Sequence, residues 1–151
     1  MAVLGFRCSN TDFAYCVLSG GKAAPVVEQA QLVSYPAGFS EPEVLKWLHQ
    51  ELAQIFGRYV CDTVAIKKPE LSVSRSNALD TRIECEGIVI LAAAEAGCLS
   101  ATRVLNVSIA KGLGLKGKAK YLKTLDTSPI SGFDGYPAKV KESIVTGWSA
   151  M

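Results

Sequence analysis

Two spacings of apolar residues divide the chain. Ala2 to Cys8, Asp12 to Ser19 and Val26 to Ser34 are short runs separated by Ser9-Asn10-Thr11 and Ser19-Gly20-Gly21-Lys22. Turns of that composition join neighbouring strands, so the spacing predicts an antiparallel meander. A helical period follows: Val44, Leu45, Leu48, Leu52, Ile55 and Phe56 share one face, with Trp47 at its edge. Ser40 and Glu43 stand at capping-box spacing before this segment, and Gly57 offers a stop after it.

Tyr59 to Ile66 reads as a different kind of strand, continuously apolar over Val64-Ala65-Ile66 and ended by Pro69. Such runs suit burial on both sheet faces. A polar connection from Leu71 to Asp80 leads to Thr81 and Glu84, again at capping-box spacing, and to a helix closed by Gly97. Arg103 to Ile109 is expected to form the fifth strand, Lys118 to Leu125 a helix, and the residues from about Pro137 a C-terminal helix. The order is a three-strand meander followed by αβαβα, which predicts one α/β domain over residues 1–151, a mixed sheet with helices packed on it. Right-handed crossovers make the first, fourth and fifth strands parallel.

Three apolar segments end on cations: VLGFRC carries Arg7, VAIKK ends on Lys67 and Lys68, and VSIAK ends on Lys111. Ligands of open α/β sheets bind outside the carboxyl ends of the parallel strands, where these residues are expected. Lys116, Lys118, Lys120 and Lys123, with Tyr121 among them, extend the cationic series. Arginine offers a planar fork to phosphate or carboxylate, and lysine a compact charge beside it. The competing reading is structural: Arg7 pairs with an acid such as Asp62, Glu84, Glu86 or Glu142, and the lysines form a solvated face.

The order and these strand ends resemble the ribonuclease H-like fold, and within it the small RuvC-type resolvases. VLGFRCSN is similar to the family's opening strand and turn, CDTVAIKKPE to its strand ending in an acid, and RIECEGIVILAAAEAG to its glycine-bearing helix. SIAKGLGLKGKAKYL resembles its strand, lysine and G-x-G-x-A segment, and VKESIVTGWSA its final acidic helix. The resemblance implies nucleic acid as partner and permits a homodimer. In nucleases of this fold, carboxylates hold two magnesium ions that activate water and stabilise the leaving oxygen. Here Arg7 and Lys67 take the positions of the first two acids, and Glu142 alone matches an acid of the last helix.

That exchange favours a non-catalytic or catalytically altered domain that binds a phosphate-bearing ligand through Arg7, Lys67, Lys68, Lys111, Lys116, Lys118 and Lys120, with no cofactor. One alternative is a protein-interaction or scaffold domain whose cations close internal ion pairs. Another is a nuclease with relocated acids, Glu70 and Glu142 being the catalytic candidates and magnesium the cofactor. GLGLKGKA fits G-x-x-x-x-G-K, but Ala119 stands where a nucleotide-hydrolysing loop needs Ser or Thr for magnesium.

Composition narrows the setting. A net charge of +2 over 151 residues confines any cationic surface to local clusters. Five cysteines without a C-x-x-C pair, and His49 as the single histidine, argue against a zinc site and for reduced thiols in the cytoplasm. Ile88 to Ala94 is too short to span a bilayer before Glu95, so no membrane insertion is expected. Cys8 adjoins Arg7, yet neighbouring strand residues face opposite ways, which separates the thiol from the cation.

Overall fold

The computed structural model describes residues 2–116 and 118–151; Gly117, inside GLGLKGKA, lies outside the described residues. Strands β1 (Ala2–Cys8), β2 (Asp12–Gly21) and β3 (Ala24–Ser34) form the expected meander. Helix α1 (Glu41–Arg58), strand β4 (Cys61–Lys67), helix α2 (Asn77–Glu95), strand β5 (Ser100–Val104), and helices α3 (Asn106–Gly112) and α4 (Ala138–Ser149) complete the order. The sheet runs β3-β2-β1-β4-β5. β1 lies antiparallel to β2 and parallel to β4, and β4 parallel to β5. Among the described residues no helix is long and apolar enough to cross a membrane.

Period-two alternation gives the sheet two apolar faces. Leu4, Phe6 and Cys8 of β1 join Val64 and Ile66 of β4 in a core under α1 and α2, where Leu48, Leu52, Cys85 and Val89 meet them. The opposite face carries Ala14, Cys16 and Leu18 of β2 against Val140, Ile144 and Trp148 of α4. The molecule is therefore three layers, with α1 and α2 on one side of the sheet and α4 on the other.

Three boundaries differ from the expected ones. The fifth strand ends at Val104, and the stretch read as its second half is α3. There Ile109 and Ala110 are buried while Val107 and Ser108 are exposed, a helical rather than alternating pattern. Lys111 accordingly sits in the last turn of a short helix, not at a strand end. Helix α2 begins before Thr81, because Ser76 is its N-cap and its side chain accepts from the Leu79 amide at 3.1 Å. Thr81 instead donates its hydroxyl to the Asn77 carbonyl. Lys118 to Leu125 is represented by a 3-10 turn over Ala119–Thr124.

Close packing of α4 on β1 depends on glycine. A Cβ placed on Gly5 would stand 2.0 Å from the Ser143 carbonyl oxygen and 2.8 Å from the Gly147 nitrogen, both backbone atoms of α4. Neither can yield without moving the helix. Gly5→Ala is expected to destabilise the fold by at least about 2 kcal/mol, the scale of overpacking a core. Gly57→Ala, in α1 with nothing within 4 Å of its Cβ, should hold or raise stability by about 0.5–1 kcal/mol. Urea unfolding of both variants distinguishes the two sites.

Candidate functional site at the ends of the parallel strands

Alternation that sends Leu4, Phe6 and Cys8 into one core sends Gly5 and Arg7 to the α4 face. Arg7 there donates from Nε to the Glu142 carboxylate of α4 and from Nη1 to the Cys8 carbonyl. Lys67, the last residue of β4, is only 6% exposed. Its ammonium donates to the Lys68 carbonyl at 2.6 Å and to Glu70 Oε2 at 3.3 Å. Burial lowers its pKa, opposed by the charges of Glu70 and Glu142. Glu70 also accepts from the Asn106 amide at 3.2 Å, tying the loop after β4 to the start of α3.

A second group lies on α2. Glu86 is fully buried and is held by Arg103 Nε at 2.7 Å and Arg82 Nε at 3.3 Å. Arg82 also donates to the Lys67 carbonyl at 3.0 Å, so its guanidinium joins both groups. Burial lowers the Arg82 pKa, and the nearby positive charge of Arg7 acts in the same direction. Four cations, Arg7, Lys67, Arg82 and Arg103, thus meet three carboxylates, Glu70, Glu86 and Glu142. At the turn after β1, Lys139 of α4 adds a separate pair with Asp12 at 2.7 Å and also donates to Ser9 Oγ.

Beside these pairs opens a cleft of about 280 Å³. Lys67, Lys141 and Glu142 supply its charge, Ile109, Leu122 and Leu125 much of its apolar wall. Lys111, Lys116, Lys118 and Lys120 belong to the chain that forms this wall and are exposed. Lys116 and Lys120 hold their ammonium groups 5.9 and 5.3 Å from the Tyr121 ring centroid. Lys68, at the strand end, is half-buried.

Of the residues named from sequence at strand ends, Arg7, Lys67 and Lys68 end neighbouring parallel strands and Lys111 does not; Arg7 and Lys67 are closed by carboxylates, Glu142 and Glu70 being the partners. Arg82, Arg103, Asp12, Lys139 and Lys141 were not singled out. Arg82 and Glu86 carried a readable signal, the i,i+4 spacing of a helical ion pair. His49 pairs with Glu95 at 2.7 Å, away from the site. Cys8 is fully buried, and desolvation raises its thiol pKa well above the ordinary value despite the neighbouring arginine.

Magnesium needs several oxygen ligands in near-octahedral array. Here the two strand ends offer ammonium and guanidinium groups, and each nearby carboxylate already accepts from a cation. Among the described residues no group of three or more His, Cys, Asp or Glu is disposed to hold a metal ion. The donor set does not fit magnesium.

No family model matches the chain, and no curated protein matches its sequence. Solved structures do resemble it. Thermus thermophilus RuvC superposes with a TM-score of 0.76 at 16% identity, over 99% of this chain and 92% of that one. The same protein in complex with a Holliday junction substrate gives 0.73 at 17%, covering 99% and 91%. The yeast mitochondrial Holliday junction resolvase Ydc2 gives 0.56 at 11%, covering 97% and 79%. The fold is α/β and ribonuclease H-like. Within that class it has the RuvC form.

Two outcomes are expected of the site. Glu86→Gln leaves Arg82 and Arg103 without their carboxylate and should destabilise the protein by about 3–5 kcal/mol in urea unfolding. Magnesium should leave the melting temperature of the wild type unchanged. It should raise that of Arg7→Asp/Lys67→Glu, in which two acids rejoin Glu142, and differential scanning fluorimetry reads both.

Proposed function

We propose that this protein is a catalytically altered ribonuclease H-like domain that binds the phosphate backbone of nucleic acid, in the cytoplasm, without metal-dependent cleavage. The observation that carries this reading is the row of exposed lysines, Lys111, Lys116, Lys118 and Lys120, along the chain that walls the cleft at the strand ends. Among the described residues these lysines form no ion pair, so a polyanion meets them without breaking one. Lys68 extends the series toward β4. The RuvC structure in complex with a Holliday junction substrate supports nucleic acid as the ligand class.

Arg7 and Lys67 have a different part in this reading. Their carboxylates hold them in place: Lys67 lines the cleft and Arg7 fixes Glu142 in its wall, while the outer lysines supply binding charge. Glu70 and Glu142 are poor candidates for relocated catalytic acids, since each is engaged by a cation. The same closed pairs favour a second reading, a protein-interaction domain, which the highly exposed Leu71 beside the site also supports.

Fluorescence anisotropy with labelled single-stranded, duplex and branched DNA and RNA, titrated in salt with chelator present, tests the proposal. Four lysine contacts to a single strand give a log–log salt slope of about −3. Lys116→Glu/Lys118→Glu/Lys120→Glu should weaken binding at least about tenfold and flatten that slope. A folded wild type that binds none of these ligands overturns the reading in favour of a protein partner.

A further inference from the structure

Five cysteines are distributed unequally. Cys8, Cys16 and Cys85 are wholly buried in the two cores, with no exposed surface. Cys61 and Cys98 stand apart from them. Cys61 opens β4, and Cys98 lies in the connection between α2 and β5. Both are at the amino-terminal end of the parallel strands, opposite the cleft. Their sulfurs are 3.1 Å apart.

The flanking residues show that this is a surface position. Val60, before Cys61, is 81% exposed, and Leu99, after Cys98, is 84% exposed. Cys98 is itself half-buried, whereas Cys61 retains 8% of its surface. An oxidant therefore reaches Cys98 first and finds Cys61 directly behind it.

We propose that Cys61 and Cys98 are a redox modification site that forms an intramolecular disulfide at the expense of a small disulfide oxidant such as glutathione disulfide. In the first step the Cys98 thiolate attacks one sulfur of the oxidant, whose S–S bond breaks, releasing one glutathione thiolate. In the second, Cys61 gives its proton to the departing group and attacks Cys98 Sγ, expelling the second glutathione. Two protein thiols lose two electrons and two protons, and one glutathione disulfide becomes two glutathiones. In the reduced protein burial, and after it the hydrogen bond to Cys98, push the pKa of the Cys61 thiol up to about 12, which leaves the more exposed Cys98 as the thiol that attacks first.

The bond joins positions 37 residues apart in sequence. The enclosed chain contains β4, the loop with Lys68 and Glu70, and α2 with Arg82 and Glu86. Closing it constrains the unfolded chain and clips the two elements that carry the buried charges of the site.

Intact mass and peptide mapping after incubation of the full chain with glutathione disulfide test the proposal. The expected product is lighter by two hydrogens, yields a Cys61–Cys98 linked peptide, and melts roughly 5–10 °C higher until dithiothreitol reverses it. Cys98→Ser should lose all three effects. Protection of Cys98 from iodoacetamide in the oxidised wild type reads the same bond without a variant. A stable glutathione adduct on Cys98, a link through another cysteine, or unchanged mass in the folded protein overturns it.

Discussion

The structure depends on how closely α4 lies against β1. Gly5 offers no side chain, so the helix backbone at Ser143 and Gly147 comes into contact distance of the strand. Cys16, opposite Gly5 on β2, donates its thiol to the Ser143 carbonyl at 3.3 Å across the same junction. With the helix held there, Glu142 falls over Arg7, two residues along β1 from Gly5. A bulkier residue at position 5 lifts the helix and with it the partner of the arginine. The distance between sheet and helix is thus a condition for the charge pairing as much as for the core.

That pairing sets the charge of the strand ends. Metal-dependent nucleases of this fold need negative charge where the parallel strands terminate, and the ions neutralise it. In this chain the neutralisation is internal: side-chain cations stand at the strand ends, and carboxylates from α4, the loop after β4 and α2 meet them. The arrangement is costly to break from one side only. A buried ion whose partner is removed retains its desolvation cost without the attraction that offset it. Glu86 shows this most clearly, being wholly buried between two arginines, one of which also binds the β4 terminus through the Lys67 carbonyl. Sheet, α2 and α4 are consequently coupled by charge at the edge where the cleft opens.

Much of the fold was legible because its elements announce themselves locally. The glycine- and serine-rich turns delimited the meander, Ser40 and Glu43 marked α1, and Val64-Ala65-Ile66 marked a strand covered on both faces. The stretch after β5 was not legible, since Val107-Ser108-Ile109-Ala110 satisfies alternation as well as one helical turn. What decides it is tertiary: the Asn106 amide finds the Glu70 carboxylate, and Ile109 turns into the cleft. The site showed the same division. Cations at the ends of β1 and β4 were readable from position alone, because strand order fixes where they lie. Their partners were less so: Glu142 stood among four acids expected to meet Arg7, and only the docking of α4, 135 residues along the chain, selects it.

We propose that carboxylate–cation pairs take the place of metal ions at the carboxyl ends of the parallel strands. Anomalous diffraction from crystals soaked in manganese chloride tests it most directly. The expected result is no anomalous density among Arg7, Lys67 and Glu142, with the Arg7–Glu142 and Lys67–Glu70 pairs both closed. A manganese ion bound by Glu142 and Glu70, with the two cations swung away, would contradict it.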